Sequence, residues 1–577
     1  MNGNRPAVST GRGNWFIVVI ALLATVLSSC QSWRSTPTAA SPTPTAVLLP
    51  SPMPTNSPAP DPSPTLSASV LRIGWLAAPS LNPFALHPGS EDTLTQLLYD
   101  SLIYRVLDNT FAPSLARAWE TTDDGTTWRI ELNEPVLAHD GLPLTLEDVA
   151  FSLQLFRGHP KFRRLSGPAD LQQVEREDAS NILLTMSEPV AAIEPYLFWL
   201  PIVPHRIWQG VAVNTGVSLD PALLVGSGPF RLDPSSTPQR VILRANPTYR
   251  LGSPVVGTVE FLTYTDPQSL SQALVDGEVE LITHVSYGEL PRLTAEPTVQ
   301  IVSGAGLHSR TLVFNLSASP TTPGQSALAD LRVRQAIAHA VDRQQWIDLA
   351  LSGSASPGRS VVPPSLTAWF DPSISDAPFN LTLARQALET AGYRDTDGDG
   401  FREVPVSRQP LHLRLALPAD PDIAGREADL LVEWFRQVGI RLTVESLSVH
   451  TLSEAGCPGC DYDLILVDWE GGPDPTSHFS PWTSEAISGG TNLGGFSSPG
   501  YDELFRQQAA TIDQEARRRL VWDLQALWIK ERPGIVLYYR PTFQAYRKDR
   551  FSGWLYVPNG AISLADPRSL VQVAPVP

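Results

Sequence analysis

The length of the patterned region is the feature that most constrains this chain. Over about 500 residues, from position 70 to the end, helix-like and strand-like hydrophobic periodicities alternate. A single hydrophobic core usually serves roughly 50–200 residues. Alternation of the two periodicities is typical of α/β architecture. We therefore predict an α/β protein with two or three lobes.

Several local patterns predict individual elements. The spacing of Thr145 and Asp148 suits a helical capping box, and the apolar period from 328 to 351 predicts one long helix. The apolar run over residues 463–469 predicts a buried strand, and a Gly/Pro-rich loop follows it. Ligands of open α/β sheets gather at the carboxyl ends of strands. The loop after Trp469 is therefore the first place to expect a binding site.

The first 30 residues have the order of an export signal. Arg5 and Arg12 precede an apolar run over 15–27, which ends in Leu27-Ser28-Ser29-Cys30. This order predicts a signal peptide over residues 1–29, and the run is shorter than the roughly 20 residues that span a bilayer. The last four residues resemble the lipobox of bacterial lipoproteins, which implies a lipid on Cys30. An ordinary signal peptide with an incidental cysteine is the alternative.

Residues 30–69 are rich in Pro, Ser, Thr and Ala and lack hydrophobic periodicity. Such a segment buries too little apolar surface to fold, so we predict a disordered tether behind the lipidated cysteine. Extended polyproline geometry of about 3.1 Å per residue would let it span on the order of 100 Å.

Composition and missing motifs exclude several function classes. The net charge of −17 is interrupted by no basic cluster, which argues against a nucleic-acid partner. The chain has no G-x-S-x-G, H-E-x-x-H, Walker A or G-x-G-x-x-G motif. We therefore predict no catalytic residue, no cofactor and no metal site. Acid/base chemistry by dispersed carboxylates stays open, because their separation depends on the fold.

Two short motifs can each be interpreted either as a functional site or as an ordinary structural feature. Residues 395–400 imitate the start of a calcium loop, but the twelfth position is Val406 rather than a bidentate glutamate, which favours a solvated turn. Cys457 and Cys460 are spaced for a small disulfide loop in an oxidising exterior. A zinc contribution or a redox role for the two cysteines is the less favoured alternative.

A series of short motifs follows one order along nearly the whole patterned region, from about residue 71 to about 546. The segments are Leu98-Tyr99-Asp100-Ser101-Leu102, Pro113-Ser114-Leu115-Ala116, Trp119-Glu120, Asp123-Asp124-Gly125, His139-Asp140-Gly141 with the residues up to Val149, Pro204-His205-Arg206-Ile207-Trp208, Gly226-Ser227-Gly228-Pro229-Phe230, Asn246-Pro247-Thr248-Tyr249, Phe314-Asn315, residues 331–337, Asp397-Gly398-Asp399-Gly400, and residues 533–539. The ordered set resembles the oligopeptide, dipeptide and nickel type of extracellular solute-binding protein, family 5.

The resemblance implies a fold and a domain division. The fold would be a two-lobed, periplasmic-binding-protein-like type II fold with an extra subdomain, closing on its solute about a hinge. Lobe I would combine residues 70–105, 222–320 and 535–577, with residues 106–221 as its subdomain. Residues 321–534 would form lobe II.

The resemblance also points to binding residues. Trp469 falls where the family places an aromatic at the end of a strand lining the cleft, and the aspartate expected three positions later is replaced by Gly472. We expect Asp468, Glu470 or Asp474 to substitute for that acid. Weaker candidates are the polar residues Asn82, Asn315, Asn492 and Tyr538. Most other motif residues are interpreted as scaffold: Trp119 as core, and Arg332 with Arg334 as a solvated helix face.

The predicted function is that of an extracytoplasmic solute-binding lipoprotein, a monomer held at the bacterial cell membrane, that delivers a peptide-like or other small solute to the permease and ATPase subunits of an ABC importer. A secreted hydrolase with dispersed carboxylates, or a surface sensor without a transporter, are the alternatives.

Overall fold

The computed structural model describes residues 67–76, 81–84, 90–106, 110–157, 170–211, 221–317, 320, 322–419, 423–447, 460–556, 561–564 and 566–576. The predicted signal peptide, Cys30 and residues 30–66 of the predicted tether lie outside this part. The first described strand begins at Ser67, so the last three residues of the predicted tether, 67–69, belong to a strand.

The described strands are β1 (Ser67–Trp75), β2 (Ile103–Arg105), β3 (Phe111–Pro113), β4 (Ala116–Thr121), β5 (Thr127–Leu132), β6 (Val136–Leu137), β7 (Pro143–Leu144), β8 (Leu171–Arg176), β9 (Asn181–Met186), β10 (Phe230–Leu232), β11 (Arg240–Ala245), β12 (Val256–Thr263), β13 (Leu281–Ile282), β14 (Val299–Phe314), β15 (Ser356–Pro357), β16 (His412–Pro418), β17 (Arg441–Leu447), β18 (Leu464–Glu470), β19 (Gly534–Arg547), β20 (Phe551–Ser552) and β21 (Ala574–Pro575).

The described α-helices are α1 (Ser90–Leu98), α2 (Leu146–Phe156), α3 (Glu194–Trp199), α4 (His205–Trp208), α5 (Pro267–Asp276), α6 (Leu290–Thr294), α7 (Pro323–Leu328), α8 (Leu331–Ala340), α9 (Arg343–Ala350), α10 (Leu381–Thr390), α11 (Ala424–Gln437), α12 (Thr476–Phe479), α13 (Glu485–Ser488), α14 (Pro499–Ala510), α15 (Gln514–Glu531) and α16 (Pro567–Gln572). Short 3-10 turns cover Pro221–Leu223 and Ser480–Trp482. The capping box between Thr145 and Asp148 is formed at the start of α2, as predicted.

One mixed sheet runs through the described residues in the order β10-β11-β12-β1-β13-β19-β14-β18-β16-β17, with β15 beside β19. Strand β1 pairs in parallel with β12 and β13, and β16 pairs in parallel with β17 and β18. Between these two parallel groups, β19 and β14 pair antiparallel over most of their length. A separate antiparallel sheet, β4-β5-β9-β8, holds Trp119.

Strands β14 and β19 connect the hydrophobic clusters of the two halves. One cluster is built from residues between 71 and 281 together with 551–573, and two others from residues between 287 and 539. Leu312 and Ile535 pack in the later clusters, whereas Val302 and Tyr546, at the other ends of the same strands, pack against the first. The two strands therefore belong to both halves.

Four segments of the motif series meet around Asp100: those that contain Asp100 itself, His139, Ser227 and Tyr249. The Asp100 carboxylate accepts hydrogen bonds from Ser227 Oγ at 2.8 Å and Tyr249 Oη at 3.1 Å. A Cβ on Gly226 would lie 2.0 Å from the carbonyl oxygen of Leu98, so only glycine fits there. The imidazole of His139 holds the same loop, with Nδ1 accepting from the Gly226 amide and Nε2 donating to the Gly228 carbonyl. These motifs therefore stabilise one junction of the scaffold.

The long helix predicted over residues 328–351 is wrong as a single element. The structure divides it into α8 and α9, because Asp342 turns its side chain to the amide of Gln345 at 3.0 Å and caps a new helix. Such capping replaces a hydrogen bond that a continuous helix would have made in its own backbone. Asp330 caps α8 in the same way.

The interpretation of Arg334 as part of a solvated helix face is also wrong. Arg334 is buried and donates to the carbonyl oxygens of Glu531 at 2.8 Å and Arg532 at 2.9 Å. The last carbonyls of a helix have no partner within it, and these two lie at the end of α15. Arg334 supplies that missing partner, whereas Arg332 is exposed and pairs with Asp330.

Within the described ranges, no helix combines the length and the apolar character that crossing a membrane requires.

Candidate functional site

Trp469 lies where β18 leaves the core. Residues 464–467 of this strand are buried, and the next three are not. Trp469 is half-buried, and its indole Nε1 has no hydrogen-bond partner although the atom is shielded from solvent. The ring belongs to none of the hydrophobic clusters of the described residues. An aromatic ring with an unpartnered donor at a strand end suits a solute contact.

The register of β14 assigns the neighbours of Trp469 to two faces. Ser309 lies opposite Trp469 on one side and Tyr539 on the other, so these three residues share a face. Arg310 lies opposite Asp468 and Tyr538, which share the reverse face.

The reverse face carries a buried charge network. Arg310 forms an ion pair with Glu427 of α11, and its Nη1 donates to Asp468 Oδ2 at 2.8 Å. Tyr538 Oη donates to Glu427 Oε1 at 2.9 Å. Burial lowers the pKa of Arg310, but the carboxylates of Asp468 and Glu427 raise it by more, so the guanidinium stays charged. Asp468 and Tyr538 are thus already engaged within the protein, and their role as solute contacts stays a prediction.

The loop after Trp469 folds around His478. The imidazole Nε2 donates to the Gly472 carbonyl at 3.0 Å, and Ser477 Oγ accepts from the Gly472 amide at 2.7 Å. A Cβ on Gly471 would lie 2.2 Å from the His478 ring, whereas a Cβ on Gly472 would meet nothing closer than 3.5 Å. Burial lowers the pKa of His478 to about 4. The side-chain position at Gly472, where the family resemblance implies an acid, is therefore sterically open.

Asp474 is not a free carboxylate. Both of its oxygens accept from Arg517, each at 2.8 Å, and Oδ1 also accepts from the amide of Thr476. Burial alone would raise the pKa of Asp474, but the Arg517 guanidinium outweighs it and holds that pKa below its ordinary value. Glu470 is more accessible and lies 3.4 Å from His308 Nε2. Whether either carboxylate contacts the solute stays a prediction.

The three candidate asparagines are buried, and each makes internal hydrogen bonds. Asn315 Nδ2 donates to the Tyr462 carbonyl at 2.7 Å. Asn492 Nδ2 donates to the carbonyls of Thr483 and Phe496. Asn82 Oδ1 accepts from the Phe84 amide at 3.0 Å. These bonds give each amide a role in shaping a turn, and solute binding by them stays a prediction.

Two cavities are lined by residues near this strand end, Pro473 and Asp474 in the first and Tyr539 in the second, although Trp469 itself lines neither. The first, here the aromatic cavity, measures about 390 Å³. It is lined by Thr110, Phe111, Trp119, Ala191, Ala192, Glu194, Pro195, residues 365–369, Pro473, Asp474, Ile512, Gln514 and Arg517. The second, here the glycine cavity, measures about 540 Å³. It is lined by Ser303, Gly304, Gly306, residues 353–356 and 363–365, Tyr539, Pro541 and Phe543. Ser365 lines both cavities.

The interpretation of Trp119 as core is wrong in part. Its ring is half-buried and lines the aromatic cavity, and its Nε1 donates to Glu194 Oε1 at 3.1 Å. Sequence reasoning also missed Glu194, Trp369, Arg310 and Glu427. Only Glu427 left a signal, because it stands four residues before Leu431 on the apolar stripe of α11.

The acidic motif that begins at Asp395 and the Cys457–Cys460 motif contribute no residue to the lining of either cavity. The structure brings ligand atoms of Asp395, Asp397, Asp399 and Glu403 within 4.8 Å of one another. Asp395 accepts there from the amides of Gly398 and Gly400, and the absence of a metal stays a prediction. Cys460 is buried, and Cys457 lies outside the described residues. Their disulfide stays a prediction.

Comparison with known proteins identifies the class. Residues 110–490 match the family described as bacterial extracellular solute-binding proteins, family 5. Heme-binding protein A of Haemophilus influenzae is 24% identical over 499 residues, which cover 82% of this chain and 86% of that protein. Di/tripeptide-binding protein 1 of Pseudomonas aeruginosa is 24% identical over 459 residues, covering 76% and 82%.

A solved structure shows the same fold. The oligopeptide-binding protein AppA of Bacillus subtilis, in complex with a nonapeptide, superposes with a TM-score of 0.73 at 20% identity, covering 88% of this chain and 99% of that one. The predicted two-lobed, periplasmic-binding-protein-like α/β fold is thereby confirmed. The chain belongs to the family 5 extracellular solute-binding proteins, which act outside the cytoplasm with the permease and ATPase subunits of ABC transporters.

Proposed function

We propose that this protein is a lipid-anchored solute-binding protein that encloses a small solute beside Trp469 and presents it to an ABC importer. The observation that carries the proposal is the state of Trp469 itself. Its ring lies outside the hydrophobic clusters of the described residues, its Nε1 lacks a partner, and the loop that follows it lines the aromatic cavity. A core tryptophan would be enclosed by apolar neighbours.

The lobe boundaries are part of the proposal. Lobe I comprises residues 70–105, 222–320 and 535–577 with the subdomain 106–221, and lobe II comprises 321–534. The distribution of the hydrophobic clusters supports this division, and β14 with β19 would carry the hinge. The aromatic cavity then opens between the subdomain and lobe II, because its lining comes from both. Closure of the lobes would enclose the solute and create the form that the permease recognises.

The names of the relatives support a proposal for the solute class. The relatives are named for heme and for di- and tripeptides, and the solved neighbour holds a nonapeptide. We infer that this protein takes a peptide-like or other small organic solute and returns it unaltered, without catalysis. No observation on the described residues favours the hydrolase or the sensor.

Native mass spectrometry of protein purified from its own host tests this function. We expect a solute of unchanged chemical structure to co-purify with the wild type and to be lost from Trp469→Ala, with affinity reduced about tenfold or more. Trp522→Ala is the matched control, because Trp522 is also half-buried with an unpartnered Nε1 but lies on α15 beneath Arg518. Equal retention by Trp469→Ala and wild type would contradict the proposal.

The anchor is tested separately. Cys30→Ser should release the protein from the membrane fraction, because no other predicted segment holds it there. A Cys30→Ser protein that still sediments with membranes would refute lipid anchoring and leave solute binding untouched.

A further inference from the structure

Among the described residues, no cationic side chain pairs with Glu194 in the aromatic cavity. The cavity is lined by two opposite charges that pair with each other, Asp474 and Arg517, and by the carboxylate of Glu194. Across the described residues, Glu194 forms no ion pair with a lysine, arginine or histidine; its side chain is held by Trp119 Nε1. When Glu194 is ionised, the described side chains that line the cavity therefore carry one excess negative charge.

Glu194 is half-buried, which makes its negative charge costly. Desolvation raises the pKa of Glu194, and the hydrogen bond from Trp119, followed by the more weakly acting charge of Arg517, opposes that rise without cancelling it. A desolvated carboxylate gains much more from a nearby cation than an exposed one does, because water screens the pair less. The position of Glu194 is fixed by α3, whose residues Pro195 to Phe198 are buried.

The walls of the cavity are suited to an organic cation. Phe111, Trp119 and Trp369 are half-buried and face the same space as Glu194. Aromatic faces attract guanidinium and ammonium groups within about 6 Å of the ring centroid. Trp369 already holds one such group, since the guanidinium of Arg517 lies 4.9 Å from its centroid. The volume of about 390 Å³ lies within the range of small-molecule sites and has room for the cationic end of a side chain.

We propose that the aromatic cavity is a subsite for a cationic group of the solute, a guanidinium or alkylammonium, with Glu194 as its counter-charge and the three aromatic rings as its walls. This inference rests on the proposed function and narrows its solute class. The subsite joins the subdomain, through Trp119 and Glu194, to the segments of residues 365–369 and 473–517. A cation bound there contacts both sides of the cavity and favours its closed form.

Two isosteric probes test the charge requirement. n-Butylguanidinium and n-butylurea have the same shape, but only the first is charged. We expect ligand-observed NMR titration of the full-length protein to give a dissociation constant about tenfold lower for n-butylguanidinium. Glu194→Gln should abolish this preference while leaving weak binding of n-butylurea. Glu188→Gln is the matched control, because Glu188 is exposed in the same segment and does not line the cavity.

Three results would overturn the inference: equal affinity of the wild type for both probes, a preference that survives Glu194→Gln, or no binding of n-butylguanidinium up to about 50 mM. The fold of each variant is checked by its thermal transition, so that a lost preference in a folded Glu194→Gln protein reports on the charge.

Co-purification and uptake by the host, measured beside this titration, separate this inference from the proposed function. If a neutral solute co-purifies and its uptake depends on Trp469 but not on Glu194, the proposed function stands and the cation subsite is refuted. If n-butylguanidinium binds through Glu194 while removal of the protein changes no uptake by its host, the cation subsite stands and the transport function is refuted.

Discussion

Arg310 of β14 and Glu427 of α11 form an ion pair in which neither side chain is exposed to solvent. The pair joins the strand that belongs to both halves of the molecule to a helix packed in the second hydrophobic cluster. Asp468, one residue before Trp469, shares the same guanidinium. The candidate site is thus built on a strand end whose reverse face is held by buried charges.

Breaking this pair should be costly for stability. Glu427→Gln leaves Arg310 with only the half-exposed Asp468, and removal of one partner from a buried pair destabilises by about 3–5 kcal/mol. In a cycle of wild type, Arg310→Met, Glu427→Leu and the double variant, the double variant should lose clearly less stability than the two single variants lose together. Urea unfolding of the four proteins measures the coupling. Strictly additive losses would show that the two residues do not act as a pair.

Gly471 and Gly472 should respond in opposite ways to the same added methyl group. Gly471→Ala forces a Cβ into the His478 ring, so we expect a loss of about 1–3 kcal/mol from overpacking. Gly472→Ala has open space and should change stability by less than about 0.5 kcal/mol. Chemical denaturation of both variants provides the comparison, each serving as the control for the other. Equal losses would mean that the loop does not pack against His478 as described.

Asp474 and Arg517 should behave as one structural unit. Either Asp474→Asn or Arg517→Met strands a buried partner, so each alone should destabilise by about 3 kcal/mol or more. The double variant should lose little beyond the worse single variant. Thermal and urea melts check this result. A folded Asp474→Asn protein with unchanged stability and weakened solute binding would instead make Asp474 a direct solute contact.

Acidification should destabilise the protein in a defined window. Burial lowers the pKa of both His139 and His478 to about 4, whereas histidine in an unfolded chain titrates near 6.5. The unfolded state therefore binds more protons between these values, and the free energy of unfolding falls as the pH decreases from about 6.5 towards 4. Each histidine contributes a slope of up to about 1.4 kcal/mol per pH unit.

Substitution distinguishes these histidines from other titrating groups. Urea unfolding at pH values between 7 and 4.5 should show a smaller slope for His139→Gln and for His478→Gln than for the wild type. His412→Gln is the control, since His412 is exposed at the start of β16. Parallel pH profiles for all variants would exclude the buried histidines as the cause.

Much of the fold can be predicted from the sequence because it depends on interactions between residues that are close together along the chain. The capping box at Thr145 and the strand leading to Trp469 depend on neighbours a few residues away. The break between α8 and α9 was missed because an apolar period continues through Asp342, although its side chain caps a new helix. Arg334 was misjudged because its partners, the carbonyls at the end of α15, are about 200 positions away.

The sequence predicts a solute contact at Trp469 and the loop after it, and this stays a prediction. Pro473 and Asp474 of that loop line the aromatic cavity, whereas Trp469 lines neither cavity. The sequence also points to Asp468, Asp474 and Tyr538 as polar groups near the strand end, yet each has an internal partner that no sequence pattern reveals. Nothing near Glu194 in the sequence sets it apart from a surface glutamate, so the sequence does not predict its place in the aromatic cavity.

The sequence by itself determined the α/β class, the ordered scaffold motifs and the position of Trp469 at a strand end, since each depends on periodicity or on short spacing along the chain. Only the tertiary structure decided which carboxylates pair with a cationic side chain and which one has no such partner among the described residues. Arg310 pairs with Glu427 across 117 positions, Arg517 with Asp474 across 43, and Glu194 with no cation of the described residues. Charge balance in a cavity depends on distances in space. Folding brings together residues that are far apart in the sequence, and their sequence positions do not show which of them will meet.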